Sequence, residues 1–168
     1  EGITIYEDKI YQITWRSRKG FIYDLKTFTL ESTFNYNSEG WGITTAGDHL
    51  IMSDGSNKLY HIAPSTFNIL KEVEVYDHNG PVDQLNELEY VDGMIWANVW
   101  LTDRIVVIDP ETGIVRGELN LPGLLPAADK ARLDDKDDVL NGIAWNAGKG
   151  TFYVTGKRWP KLFEIKVK

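Results

Sequence analysis

The feature that most constrains the fold is a fourfold internal repeat of strand-like segments. The repeated units begin with the segments Gly2–Trp15, Trp41–Gly55, Asn86–Trp100 and Asn141–Lys157, and each unit continues beyond its segment. Each unit predicts strand, turn, strand, loop and strand, and the first three add a turn and a fourth strand. Equivalent positions are 40 residues apart from Gly2 to Gly42, 45 from Gly42 to Glu87 and 55 from Glu87 to Gly142. Four-stranded units of this length are typical of β-propeller blades.

The repeat predicts an all-β chain that forms a single β-propeller domain over residues 1–168. A solenoid is the main alternative, but its repeats are usually shorter or helical. About four blades are present, the last with three strands. Because four is the lowest usual blade number, we expect the domain to be N-terminally incomplete, with at least one further blade upstream. The longest interval holds an insertion at 122–138, for which we expect a loop or short helix.

Charge and composition exclude several functions. The net charge of −7 and the lack of a basic stripe argue against nucleic acid, and no apolar run is long enough to span a membrane. The chain has no cysteine, which excludes disulfides and thiolate metal sites. Its three histidines lack ligand spacing, and the acidic run Leu133–Asp138 is better explained as a solvated loop than as a calcium site. We expect no metal and no cofactor.

Equivalent positions of the repeats suggest a ligand site. The innermost strands of a propeller line its channel, so residues that start and end the first hairpins should converge there. The starts are Glu1, Trp41, Asn86 and Asn141, and the ends include Trp15, Asp54, Trp100 and Lys157. Each alone could be a turn or corner residue. Together, indoles, an acid, amides and a lysine at one register favour a binding site.

Several motifs extend this interpretation to a family. They read EGI, TW, EGWGITT, MSDGS, LNELEYVDG, ANVW, TDRIVVIDPETG, LNGIAW and VTGKRWPKLFE, in that order along essentially the whole chain. The sequence resembles the plant and bacterial glutaminyl cyclases, also called glutamine cyclotransferases. The resemblance implies a five-bladed propeller unrelated to the zinc-dependent animal enzymes. The family's first blade, with its Phe-Thr-Gln-Gly motif, has no counterpart in this sequence.

The resemblance also implies an activity and its residues. The reaction is cyclisation of an N-terminal glutamine to pyroglutamate with release of ammonia, catalysed without metal. Glu1 would transfer the proton, while Asn86 and Lys157 would bind the reacting groups. The walls that hold the glutamine folded would be the indoles of Trp15, Trp41 and Trp100.

The expected partner is a peptide or protein with an N-terminal glutamine, and no nucleic acid or membrane. A missing N-terminal segment or a second chain could cover the open blade edge, because an exposed strand edge favours pairing. The resemblance implies a periplasmic or secreted protein. The alternative function is a non-catalytic propeller fragment that binds a peptide or other ligand in the same channel.

Overall fold

The computed structural model describes residues 1–133 and 136–167, in which the strands form antiparallel sheets in chain order. The first sheet contains β1 (Ile3–Tyr6), β2 (Lys9–Gln12), β3 (Lys19–Asp24) and β4 (Leu30–Asn35). The second contains β5 (Ile43–Ala46), β6 (His49–Ser53), β7 (Lys58–Ile62) and β8 (Ile69–Glu74). A short ribbon of β9 (Tyr76–Asp77) and β10 (Gly80–Pro81) follows. The third sheet contains β11 (Leu85–Val91), β12 (Met94–Val99), β13 (Arg104–Ile108) and β14 (Val115–Asn120). The last contains β15 (Leu140–Asn146), β16 (Thr151–Gly156) and β17 (Phe163–Ile165).

This arrangement confirms the β-propeller prediction. Within the described residues, three sheets have four strands and the last has three, as the repeats predicted. The β9–β10 ribbon was not predicted, because each of its strands is only two residues long. The insertion contributes one short helix, α1 (Ala127–Lys130), and its residues Asp134 and Asp135 lie outside the described part of the chain. That helix is too short to cross a membrane, and the described residues contain no other.

The blades pack face to face because both surfaces of their middle strands are apolar. In β12, Ile95 and Ala97 are fully buried against the second blade's side of the sheet, in a core shared with Ile51 and Leu59. Trp96 points the other way, and its ring centre lies 4.4 Å from that of Phe152 in the last blade. Burying one such aliphatic side chain stabilises the fold by roughly 1.5–3 kcal/mol. The alternation of β12 therefore joins three successive blades.

The first blade presents an apolar surface on the side away from the second. Thr4 faces the second blade, since its Oγ1 lies 3.1 Å from Oγ1 of Thr45. Side chains alternate along a strand, so Ile3 and Ile5 face the opposite side. Ile3 is 62% exposed, Ile5 54% and Phe28 71%. That a further segment or a second chain covers this surface stays a prediction.

The hairpin of the third blade turns as its sequence predicts. Val91 pairs with Met94, which leaves a loop of Asp92 and Gly93. Both loop residues have positive φ, 50° and 84°. Such a pair belongs to the type I′ turn, whose twist matches that of the flanking strands. The turn fixes the register of β11 against β12 and therefore the level at which β11 begins.

Candidate functional site

One small cavity unites all six residues that the sequence singled out for a site. Its volume is about 150 Å³, and it is lined by Glu1, Trp15, Trp41, Asn86, Trp100, Asp137 and Lys157. At about 30 Å³ per water molecule, that volume corresponds to about five waters. The cavity therefore has room for one side chain of moderate size, and a longer ligand must extend out of it.

The predicted register explains this convergence. Glu1 and Trp41 come just before β1 and β5, and Asn86 is the second residue of β11. Trp15, Trp100 and Lys157 follow the second strands β2, β12 and β16. The inner strands of neighbouring blades lie side by side, so their starting ends meet at one end of the channel.

A β-bulge aims Asn86 into the cavity. Leu85 pairs with Val99 and Leu88 with Ala97, so two residues of β11 lie opposite the single residue Asn98. Bulges bend a strand and redirect its side chains, and they are common beside functional sites. The fourth blade has the same irregularity between Leu140 and Ile143. The bulge leaves Asn86 3% exposed at the cavity wall.

The backbone of Asn86 is held by the second blade. The hydroxyl of Ser53 donates a 2.6 Å hydrogen bond to the carbonyl of Asn86 and accepts one of 2.9 Å from the backbone N–H of Gly42. A Cβ at Gly42 would lie only 2.0 Å from the Asn86 carbonyl oxygen. Glycine is therefore required for the two blades to approach this closely. Buried Ser53 acts as a bridge that fixes the spacing of Trp41 and Asn86.

Glu39 orients two of the three indoles, and sequence analysis did not find it. Its Oε2 accepts a hydrogen bond of 2.6 Å from Nε1 of Trp15 and one of 2.9 Å from Nε1 of Trp41. The Trp41 bond, followed by the Trp15 bond, lowers the pKa of Glu39, which therefore stays ionised. Glu39 lies in the connection between the first two blades, where no periodicity marks its partners. The Glu39 carboxylate therefore connects two walls of the cavity that come from neighbouring blades.

The third indole, that of Trp100, contacts the indole of Trp41, and a cation lies above the Trp100 ring. The rings of Trp41 and Trp100 are 5.3 Å apart and nearly perpendicular, at 88°, an edge-to-face geometry that aromatic pairs favour. The ammonium of Lys157 lies 5.9 Å from the centre of the Trp100 ring. The cavity therefore combines apolar walls with one amide, one ammonium and carboxylates.

Asp137 is the other lining residue that sequence analysis missed as a site residue. It belongs to the acidic run of the insertion, which was interpreted as a solvated loop. Its partly exposed side chain reaches the cavity beside Glu1 and Lys157. The same three residues line an adjoining, more open cavity of about 490 Å³ together with Asp138 and Arg158. A ligand that leaves the inner cavity on this side passes Asp137.

Three other polar residues at the ends of the first hairpins lie outside the cavity lining. Asp54 accepts hydrogen bonds from the hydroxyls of Ser56 and Tyr60, as a turn residue does. Asn98 accepts a 2.9 Å bond from the backbone N–H of Gly142 and joins the third blade to the fourth. Asn141 has its Oδ1 buried, away from the cavity lining. Among the described residues, no group of three or more acidic or histidine side chains could hold a metal ion.

A larger hollow of about 530 Å³ lies elsewhere between the inner strands. Its lining is mostly aliphatic and aromatic, and includes Ile3, Ile5 and Phe28 of the apolar surface described above. Size alone favours this hollow. We place the site in the smaller cavity because that cavity brings ionisable and amide groups against indoles, which is the chemistry that a polar substrate needs.

Comparison with known proteins identifies the family of the chain. A family model described as glutamine cyclotransferase matches residues 1–167. A glutaminyl-peptide cyclotransferase of Arabidopsis thaliana is 39% identical over 173 residues, which cover 100% of this chain and 52% of that protein. The crystal structure of Myxococcus xanthus glutaminyl cyclase superposes with a TM-score of 0.92 at 36% identity, covering 99% of this chain and 71% of that one. The chain thus spans about half the length of the Arabidopsis protein. It belongs to the glutamine cyclotransferase family.

Proposed function

We propose that this protein is a glutaminyl-peptide cyclotransferase, which converts an N-terminal glutamine to pyroglutamate and releases ammonia. The observation that carries the proposal is the single cavity in which Glu1, Asn86 and Lys157 meet three indoles. The relatives' names support it, because the Arabidopsis and Myxococcus proteins are named for this activity.

The substrate's α-amine is the nucleophile in the proposed reaction. It attacks the side-chain carboxamide carbon, the ring closes, and the bond from that carbon to the amide nitrogen breaks. The amine must be neutral to attack, and its reference pKa of about 7.7–8.0 makes the neutral form accessible near neutral pH. Because both reacting groups belong to one residue, the protein's main contribution is to hold them in an attack geometry. The indoles of Trp15, Trp41 and Trp100 would supply that constraint.

Proton transfer is assigned to Glu1. Its carboxylate takes the proton that the amine loses on attack and gives it to the departing nitrogen, so that ammonia leaves as a neutral molecule. The tetrahedral intermediate carries a negative oxygen, which needs hydrogen-bond donors. Lys157 and Asn86 line the cavity, and an ammonium and a carboxamide N–H can donate to that oxygen.

The test is ammonia release from a glutamine-initiated dipeptide by the parent protein and by Glu1→Gln. Because a general acid–base group contributes about 100- to 10,000-fold, we expect the variant to lose at least about 100-fold in kcat. The matched control is Glu72→Gln, on outer strand β8, where the exposed pair with Lys58 contributes little.

Two results would contradict the proposal in different ways. Parental activity in Glu1→Gln would remove the role of Glu1 and leave the reaction in place. No ammonia release by folded parent protein would favour the alternative, a propeller that binds peptides without reacting with them.

A further inference from the structure

We propose that Asp138 is a positioning residue, which holds the turn after β16 and so places Lys157 on the wall of the inner cavity. Among the described residues that line this cavity, Lys157 is present and Asp138 is not. The inference rests on the proposed cyclotransferase function, in which the Lys157 ammonium donates to the tetrahedral intermediate. It gives the insertion between the third and fourth blades a part in that function, because Asp138 is the last residue of the insertion.

Lys157 lies in a tight turn whose shape its own residues do not favour. The turn spans 156–159, and the backbone N–H of Trp159 donates a 3.1 Å hydrogen bond to the carbonyl of Gly156. Arg158, the third residue of the turn, has a φ of 56°. A positive φ at that position usually requires glycine or asparagine, because other side chains are strained there. The turn therefore needs contacts outside itself to hold its shape, and with it the direction of Lys157.

Those contacts come from the two residues just before β15. The backbone N–H of Lys157 donates a 3.0 Å hydrogen bond to the carbonyl of Val139. Nε1 of Trp159 donates one of 2.8 Å to the carbonyl of Asp138. The Asp138 carboxylate accepts one of 2.6 Å from Nε of Arg158, the residue with the positive φ. Three consecutive residues of the turn are thus bonded to the end of the insertion, and two of them to Asp138.

The pair of Asp138 and Arg158 is unequal in its burial. The Asp138 side chain is 3% exposed and that of Arg158 is 63% exposed. A buried carboxylate needs a partner, because an unpaired charge out of water is costly, whereas the guanidinium keeps most of its hydration. The carboxylate is therefore the confined member of the pair, and Arg158 takes its position from it. Without this bond, we expect the turn to relax and the Lys157 ammonium to leave its place 5.9 Å from the centre of the Trp100 ring.

A first experiment measures the position of Lys157 directly. Lysines are reductively methylated with isotope-labelled methyl groups, which keep the charge, and their NMR signals are recorded. The Lys157 signal is the one absent from Lys157→Ala, and the Trp100 ring current shifts it from the signals of exposed lysines. We expect Asp138→Ala to return this signal toward the exposed lysines. Asp138→Asn should keep the shift, because its amide oxygen still accepts from Arg158.

A second experiment is a double-mutant cycle, measured as kcat for ammonia release from a glutamine-initiated dipeptide. A misplacement of about 1 Å can cost about 100-fold, so we expect Asp138→Ala to lower kcat by about ten- to 100-fold. In the Lys157→Ala background there is no ammonium to place. Asp138→Ala should therefore change kcat there by no more than about two-fold, which is strong coupling between the two residues.

The matched control is Asp129→Ala, in the same insertion. Asp129 has a 17% exposed side chain that pairs at 2.6 Å with Lys161, which follows the same turn. Neither residue is among the described residues that line the inner cavity. We expect this variant to leave the Lys157 signal in place and kcat within about two-fold of the parent.

Arg158→Ala removes the same bond from its exposed partner and serves where Asp138→Ala fails to fold. It should move the Lys157 signal and lower kcat with the same dependence on Lys157. Arg158 also lines the outer cavity, so any direct contact with the peptide would change KM.

Two results would overturn the inference and leave the cyclotransferase function in place. An unmoved Lys157 signal in folded Asp138→Ala, with parental kcat, would mean that the turn keeps its shape without this bond. Equal losses of kcat with and without the Lys157 ammonium would mean that the ion pair supports the fold alone. Absence of ammonia release by folded parent protein would instead remove the function, and the inference with it.

Discussion

At the scale of single residues, the site depends on a carboxylate that touches no predicted reacting group. Glu39 accepts hydrogen bonds from Trp15 and Trp41, which come from neighbouring blades. Trp15 is 42% exposed, so little packing restrains it apart from this bond and the guanidinium of Arg16, 3.9 Å from its ring centre. The position of an exposed indole is consequently set by polar contacts.

We predict that Glu39→Ala lowers kcat/KM for glutamine-initiated dipeptides by roughly ten-fold. Hydrogen bonds to a charged group contribute about 1.5–3 kcal/mol, and the partial exposure of Glu39 reduces this contribution. The measurement is steady-state ammonia release, with thermal unfolding as a check on folding. Glu31→Ala is the matched control, since both glutamates have side chains that are 37% exposed. An equal effect of both substitutions would contradict the role of Glu39.

The six predicted site residues recur at equivalent positions of the repeat, and the family resemblance separated them from Asp54 and Asn141 at the same register. Glu39 and Asp137 do not recur in this way, since each lies in a connection without periodicity. The partners of Glu39 are 24 residues before it and 2 after it. No local spacing rule links those positions, and only the packing of two blades brings them together.

At the scale of elements, the starting ends of the inner strands carry the irregular geometry. The bulge at Asn86 and Glu87 and the close approach of Gly42 occur at the same level of the channel. Sequence patterns predicted the strands and the Asp92–Gly93 turn because both follow from residue preference. The bulge was not predicted, because apolar alternation alone does not show which residue a strand leaves unpaired.

We predict that Gly42→Ala destabilises the protein by about 1–3 kcal/mol, the usual range for overpacking, and also lowers activity. The added Cβ would lie 2.0 Å from the backbone oxygen of Asn86, so either the second or the third blade must move. Urea unfolding and ammonia release measure the two effects.

The control for this substitution is Gly117→Ala in outer strand β14. A Cβ there would lie 3.8 Å from Val107, which is an ordinary contact. We expect its stability to stay within about 0.5 kcal/mol of the parent. If Gly42→Ala behaved like Gly117→Ala, the close approach would not be important for stability.

At the scale of the whole molecule, two partly buried acids join the last two blades. Glu87 Oε2 accepts a 2.8 Å hydrogen bond from the backbone N–H of Ile143, and Glu89 Oε1 accepts one of 2.9 Å from that of Trp145. Burial raises the pKa of Glu89, and it raises the pKa of Glu87 well above its usual range. The folded protein therefore binds these protons more tightly than the unfolded chain does.

This difference makes stability depend on pH. An unfolded glutamate titrates near pH 4.3, and the folded-state pKa is higher, so stability falls as pH rises from about 4.3 through the raised values. We predict that Glu87→Gln removes most of this fall, because its amide oxygen can still accept from Ile143 and has no charge to bury. Relative to the parent, the variant gains stability as pH increases. Urea unfolding at pH 5 and pH 8 measures the gain.

Comparing the variant with the parent cancels titrations that both share. One of these groups is His61, whose pKa is lowered by burial and by the neighbouring His49. Below about pH 6.5 its titration makes stability rise with pH, which is opposite to the effect of Glu87. Glu72→Gln, at an exposed position, should leave the pH dependence as it is in the parent. The same pH dependence in Glu87→Gln as in the parent would mean that burial of Glu87 does not penalise its charged form.

The edge-to-face contact of Trp41 and Trp100 has a spectroscopic consequence. Two indoles whose centres are 5.3 Å apart are close enough for their electronic transitions to interact, in a way that depends on their mutual orientation. One indole belongs to the second blade and the other to the third, so a change in the angle between these blades would alter the circular dichroism of the pair. A ligand that turns either indole on entering the cavity would therefore change the circular dichroism, with no added label.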